Sequence, residues 1–517
     1  MLRDDTPKFV IRRDVSGGMN TMQADNVIAE NQSTLLQNVE ITVMGERAIR
    51  KGNTLCKDLS NDFGTGCFGF EPEGGTNELL VAEGTSVWGS TNPAGTGSDT
   101  FTEHKSDFTA DLQTTMVRAL ESDEGDVVII SNGTDNCFRM TQAHGFQELS
   151  TANTSPPKTT VMEFYRNRLW ALKDEKLMYS GAIPSDYNTT FVQDTNYYSI
   201  PIGNERFLIG TRNYGLIVGG SASIYAVNPS VTPDPSGATD PNLDRPDRLV
   251  DYGCAAGNTA KQVGDDFLYL SYDGVRGLFR TINDELQTGE SKPLSWNLKK
   301  ETELINWTYI HLADAVFFDN KYILTLPTGS ATTNNQLWIY YPAYKAWVIV
   351  SGITIARMAK VKIANQERLY GVDATDGKVY RMFYGTTDNG TAIQYQEEGR
   401  GEDFGEPLRY KQGGEVKVKV INKGGVTATL TPYADIDDAG YVQLDGTALT
   451  VAGGGLDFPF DFPFSFNSVR GEEQWHLDNL GKFKKIKIKL YCNTTSAELT
   501  ILESQIITFV EEYLNED

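Results

Sequence analysis

The chain has 517 residues, with 46 Lys plus Arg against 69 Asp plus Glu, and so a formal net charge of −23. That balance excludes a generally basic, nucleic-acid-coating protein, because phosphate binding rests on Lys and Arg displacing counterions. With 24 Tyr, 24 Phe and 7 Trp the chain is too aromatic to stay disordered, and its length allows roughly three domains, or one large repeat domain with an appendage.

Residues 1–7 hold no apolar signal core, and no window approaches about 18 consecutive apolar residues, so neither export nor a membrane span is expected. The five cysteines, Cys56, Cys67, Cys137, Cys254 and Cys492, are scattered and odd in number. They spell neither a disulfide framework nor a zinc knuckle, and read as small apolar residues of a chain made in a reducing cytoplasm.

From residue 60 to 390 a hairpin recurs: an apolar strand, a Gly/Asp/Asn turn, then a strand rich in Val, Tyr, Trp or Arg. Copies fall at 78–88, 126–140, 168–179, 215–227, 266–280, 321–340 and 368–382. Their spacing of about 40 to 55 residues is that of a four-stranded propeller blade. The predicted fold is therefore all-β: an N-terminal arm with the first strands over 1–59, a β-propeller of about seven blades over 60–390, and a C-terminal antiparallel β-sandwich over 391–517. A string of antiparallel sandwiches with similar hairpins is the alternative, since no Trp-Asp repeat or Asp-box series is present.

Residues 228–247 are too Pro-rich for a central strand and read as a long excursion between blades. Residues 390–414, charged and Gly-rich, read as a linker or long loop. Beyond them, Val416 to Val420 and Lys485 to Leu490 alternate strictly. A period of two puts Lys417 and Lys419, and Lys485, Lys487 and Lys489, on one face of each strand with the aliphatics behind. Such stripes are solvated faces, a DNA-affine surface, or ionic contacts to an acidic neighbouring subunit. The run 457–466 alternates Phe with Pro and Asp, and its five Phe need an apolar partner, either their own core or another subunit.

No catalytic constellation is visible. His104, His144, His311 and His476 are far apart and form no metal pair in sequence, and there is no phosphate loop, His-Glu-x-x-His or Gly-x-Ser-x-Gly. Acidic runs at 373–377 and 435–440 complete no calcium loop and read as turns. The expectation is a non-enzymatic protein with no cofactor and no metal.

Three N-terminal stretches carry a resemblance: Val-Ser-Gly-Gly-Met-Asn-Thr at 15–21, Asn-Gln-Ser-Thr-Leu-Leu-Gln-Asn-Val-Glu at 31–40, and Gly-Glu-Arg-Ala-Ile-Arg-Lys-Gly at 45–52. Together they resemble the opening of bacteriophage tail nozzle proteins, also called tail tubular protein B or tail hub proteins of short-tailed phages. The resemblance implies a structural virion protein of the tail, assembled in the host bacterial cytoplasm. It implies a hexameric ring below portal and adaptor that extends the DNA channel, retaining and then conducting the genome without specific binding. On that reading Gly17, Gly18, Asn38, Arg47 and Arg50 are interface candidates in an arm that meets the adaptor. Lys417, Lys419, Lys485, Lys487 and Lys489 belong to an inter-subunit platform. Asp234, Asp240, Asp244 and Asp247 are channel-loop candidates, and tail fibres are further candidate partners. Turn geometry alone also accounts for Gly17, Gly18, Asn38 and Gly52.

Acidity suits a conduit, because a negative wall repels phosphate and lets DNA slide; it also serves plain solubility. The competing readings are an adhesin-like propeller that stacks host glycans on Trp88, Trp170, Trp307, Trp338 or Trp347, and a glycan-cleaving propeller with two converging carboxylates.

Overall fold

The computed structural model describes residues 3–59, 62–230, 233, 245–444, 448–452, 469–477 and 480–511. Short strands follow from the turns. Arg166 and Asn167, Asp174 and Glu175, Asp319 and Asn320, and Ala364 and Asn365 all have positive φ. These pairs form two-residue hairpin loops whose twist matches that of the strands, so Tyr165 faces Arg168 and Ile363 faces Gln366.

Five four-stranded antiparallel sheets and the first four strands of a larger sheet stand in a six-unit, propeller-like arrangement. They open with Gly64–Phe70, Thr115–Glu121, Met162–Tyr165, Glu205–Gly210, Asp314–Phe318 and Ile355–Ile363. The opening strands touch in succession, except that Glu205–Gly210 and Asp314–Phe318 meet through the turn Gly257–Thr259 before the three-stranded sheet, and Ile355–Ile363 packs back on Gly64–Phe70 to close the ring. Closure is strengthened because Thr54–Asp58, from the N-terminal segment, pairs with Lys378–Arg381 as the outer strand of the last sheet. Apolar residues fill the spaces between sheets: Leu79 and Val81 meet Val361, Tyr370 and Val372, while Leu80 meets Met116, Val128 and Ile130.

Each of the seven recurring hairpins is the centre of a sheet, but one sheet departs from the expected form. Lys261–Val263, Asp266–Ser271 and Gly274–Gly277 make three strands only, followed by the helix Leu278–Thr288 in place of the strand expected through Arg280. The helix stops where Gly289 adopts a left-handed φ of 72°. The 228–247 excursion also lies elsewhere than expected. It joins Ile224–Val227 to Asp247–Val250 inside one four-stranded sheet, because those two strands pair with each other.

The remaining strands form mostly antiparallel sheets against this ring, with Leu35–Gln37 joining Ala346–Ser351 in parallel. One sheet runs Val469–His476, Lys411–Asn422, Leu499–Glu511, Arg47–Ile49, Val39–Ile41, with Arg3–Arg12 also on Leu499–Glu511. The other extends the Asp314–Phe318 sheet: after Ala346–Ser351 come Leu35–Gln37, Tyr395–Glu398, Ile486–Cys492 and Ala428–Ile436. Val416, Val418, Val420 and Ile501 from the first share one core with Leu430, Ala434, Ile488 and Leu490 from the second. The alternation read in the sequence is what builds that core, since Lys417, Lys419, Lys487 and Lys489 point away from it.

Residues 390–414 are not a plain linker. They hold the strand Tyr395–Glu398, whose buried Glu397 is neutralised by arginines from the N-terminal segment. Cys56, Cys137, Cys254 and Cys492 are buried and unpaired. Among the described residues no helix is long and apolar enough to cross a membrane.

Candidate functional site: the N-terminal joint

The residues that carry the resemblance are built into the junction between the ring of sheets and the C-terminal strands. Gly18, at φ 68°, lies so close to the strand Ala346–Ser351 that a Cβ would stand 2.7 Å from the Trp347 nitrogen. Its neighbour Gly17 meets Asn31 and Gln32 equally closely. Only glycine allows both the turn and the approach.

Asn38 is the splice. It is buried, with φ 57°, a left-handed conformation that Asn tolerates better than most residues. Its backbone N–H donates to the Ile349 carbonyl at 2.9 Å, and its Nδ2 donates to the Gln394 carbonyl at 2.8 Å. Its Oδ1 accepts from Arg50 Nε at 2.9 Å and from the Ser351 N–H at 3.2 Å. One side chain thus ties the Ala346–Ser351 strand, the approach to Tyr395–Glu398, and the N-terminal segment.

Two arginine nodes complete the joint. Arg50 holds Asp388 through two parallel bonds of 3.0 and 2.6 Å. Arg47 is fully buried: Nη1 donates to Glu397 at 3.0 Å, while Nη2 donates to the Arg12 carbonyl at 3.2 Å and to Ser504 Oγ at 2.9 Å. Arg12 approaches the same carboxylate at 3.6 Å, and Tyr395 donates its hydroxyl to the other oxygen at 2.9 Å. Burial lowers the Arg12 pKa and Glu397 only partly offsets this, with Arg47 lowering it further. Burial, then the neighbouring Glu397, pushes Tyr395 well above the ordinary phenol range. At its bends this segment leaves the apolar residues Val27, Val43 and Met44 exposed.

The lysine stripes are occupied within the chain. Lys485 reaches Asp25 at 3.0 Å and Asp438 at 2.7 Å, Lys487 reaches Asp25 and Asp435 at 3.7 and 3.9 Å, and Lys489 reaches Glu398 at 3.7 Å. Tyr441 lies beside both Lys487 and Lys489. Burial lowers the Lys485 pKa, but its bonds to Asp438 and Asp25 outweigh that and raise it. Lys417 pairs with Glu415 at 2.8 Å and Lys419 with Glu472 at 3.9 Å, on a more open face.

Asp247 is exposed at the start of the outermost strand of its sheet. Asp234, Asp240 and Asp244, and the 457–466 Phe run, lie outside the described residues. Trp170, Trp338 and Trp347 are buried in the core and offer no face to a sugar, whereas Trp88 and Trp307 are half-buried.

One grouping was hidden by distance in sequence. The expectation that the histidines stand apart fails for two of them: His104 Nε2 and His144 Nε2 lie 2.8 and 2.9 Å from the two oxygens of Glu78. Burial raises the Glu78 pKa, but the bonds to His104 and His144 outweigh it and hold the carboxyl below its usual range. No motif could have shown this, because Glu78 and His144 are brought together only by the packing of adjacent sheets. Compared by sequence with protein-family models and with curated proteins, the chain matches none.

Proposed function

We propose that the chain is a non-enzymatic structural protein of a short-tailed phage tail, a nozzle-type subunit that closes into a ring around the path of the genome. The observation that carries this reading is that Gly17, Gly18, Asn38, Arg47, Arg50 and Gly52, the residues of the resemblance, act together as one buried joint. A joint of this kind makes a stiff two-part body, which a load-bearing conduit needs and a freely hinged adhesin does not. On this reading the three-stranded sheet is a seventh blade, the two C-terminal sheets are a β-sandwich, and the ring is hexameric. The exposed bend at Val43 and Met44 replaces the buried glycines and arginines as the face toward an adaptor. The inter-subunit platform falls to Lys417 and Lys419, because they lie on the more open face, whereas Lys485, Lys487 and Lys489 are largely covered. The net charge of −23 fits a wall that repels DNA.

Negative-stain imaging and solution mass of the purified chain, alone and with an adaptor protein, test the proposal. A closed ring of about six copies with a central hole is expected from the nozzle resemblance, which supplies the stoichiometry. A monomer under both conditions contradicts it. A glycan-binding reading rests on one feature, the pair Tyr272 and Trp307 with ring centroids 6.1 Å apart and Tyr272 half-exposed. Retention on a polysaccharide column, lost in Trp307→Ala, would favour that reading instead.

A further inference from the structure

Glu78 opens the second strand, Glu78–Glu83, of the first sheet in the ring, and His104 sits on that sheet's outermost strand, Thr102–Lys105. His144 comes from the neighbouring sheet, in the turn between Cys137–Thr141 and Phe146–Leu149, with φ 61°. The two imidazoles stack with centroids 3.8 Å apart and planes 12° from parallel, each addressing one oxygen of the same carboxylate. The donor atoms of all three residues lie within 4.8 Å of one another. Gly89 keeps the space open: a Cβ there would come within 2.1 Å of Glu78 Oε1 and 2.2 Å of His104 Nε2. Among the described residues Glu78 makes no ion pair with Lys or Arg, so its charge faces the histidines alone.

We propose that Glu78, His104 and His144 form a binding site for a divalent transition cation of the zinc class, held between two adjacent sheets of the ring. Two imidazole nitrogens and one carboxylate oxygen are a familiar zinc donor set, and they leave a fourth position for water. Imidazole ligands select zinc, nickel or copper over magnesium and calcium. Bonds of about 2.0 to 2.1 Å in a tetrahedron set donor atoms roughly 3.3 Å apart. Whichever Glu78 oxygen ligates, its distance to the imidazole it now bonds, 2.8 or 2.9 Å, opens by about half an ångström, and the other imidazole turns from the second oxygen to the cation. The stacked rings must also splay so that their Nε2 lone pairs converge. His144 supplies that movement, since its side chain is 38% exposed on a turn while those of Glu78 and His104 are 6% exposed and fixed by their strands. Each imidazole then binds through Nε2 and carries its proton on Nδ1.

The test uses the full chain, stripped with chelator and titrated with zinc sulfate by calorimetry, with cobalt(II) absorption as a second readout. The expected result is one equivalent of zinc bound with micromolar affinity, tetrahedral cobalt bands, and no uptake of magnesium. His104→Gln and His144→Asn should each weaken zinc binding by at least about tenfold and bleach the cobalt bands. Asn at 144 keeps the left-handed turn, so that variant reads ligation even if His104→Gln fails to fold. Absence of zinc uptake by the unaltered chain, or binding unchanged in His144→Asn, would overturn the proposal.

Discussion

The arginine node at Glu397 and the lysine layer at Asp25 are both charge clusters on the C-terminal strands, yet burial gives them opposite weight. Arg47 and Glu397 are almost wholly removed from water and hydrogen-bonded on several sides. Lys485, Lys487 and Lys489 keep 15 to 20% of their side chains in solvent, and although Lys485 bonds Asp25 and Asp438 closely, Lys487 and Lys489 stand 3.7 to 3.9 Å from their carboxylates. A buried pair that loses one partner strands a charge, whereas a wet pair loses little. Charge count alone therefore says nothing about which cluster holds the fold; the number of bonds per buried charge does.

Breaking the buried side should cost most. Arg47→Ala is expected to lower unfolding stability by about 3 to 5 kcal/mol, measured by chemical denaturation, because the only cation left to Glu397 is the more distant Arg12. Asn38→Ala should cost about 2 to 3 kcal/mol by the same measurement, removing the bonds to Gln394, Arg50 and Ser351 and straining the left-handed backbone. A half-buried carboxylate without a guanidinium, Glu163, sharpens the contrast. Burial pushes the Glu163 pKa up to about 7, and a bond from the Gly210 N–H and the charge of Lys261 offset this only in part. A folded-state pKa raised above the unfolded value favours the protonated folded form, so its contribution is full below the ordinary carboxyl range. It is lost as pH rises through about 7. Glu163→Gln should therefore flatten the fall of melting temperature between pH 5 and about 8. The wet side gives the smallest effect: Lys487→Gln should change stability by less than about 1 kcal/mol, and less still in high salt.

What could be read from the sequence was local. The seven hairpins declare themselves because a strand, a short turn or loop and the next strand are contiguous in sequence, and the Lys/aliphatic alternation at 416–420 and 485–490 follows from the two-residue period. The helix after Gly277 was missed because Leu278, Phe279 and Arg280 continue the apolar texture of a strand. The long-range pairings were missed for a different reason. Nothing in Arg3–Arg12 announces that it will lie beside Leu499–Glu511, nor does Thr54–Asp58 announce Lys378–Arg381. The joint was visible as a set of residues and invisible as a joint: Glu397 sits in a charged Gly-rich stretch that looks solvated until Arg12 and Arg47 arrive from the other end of the chain. The Glu78, His104 and His144 cluster is the same case in miniature.

The central claim is that the N-terminal segment locks the ring of sheets and the C-terminal strands into one cooperative body. Scanning calorimetry of the unaltered chain and of an Arg47→Ala, Arg50→Ala double variant tests it directly. The account predicts a single endotherm for the unaltered chain, and for the variant a lower midpoint with two resolved transitions as the two parts melt independently. The same midpoint and the same single endotherm in both proteins would contradict it.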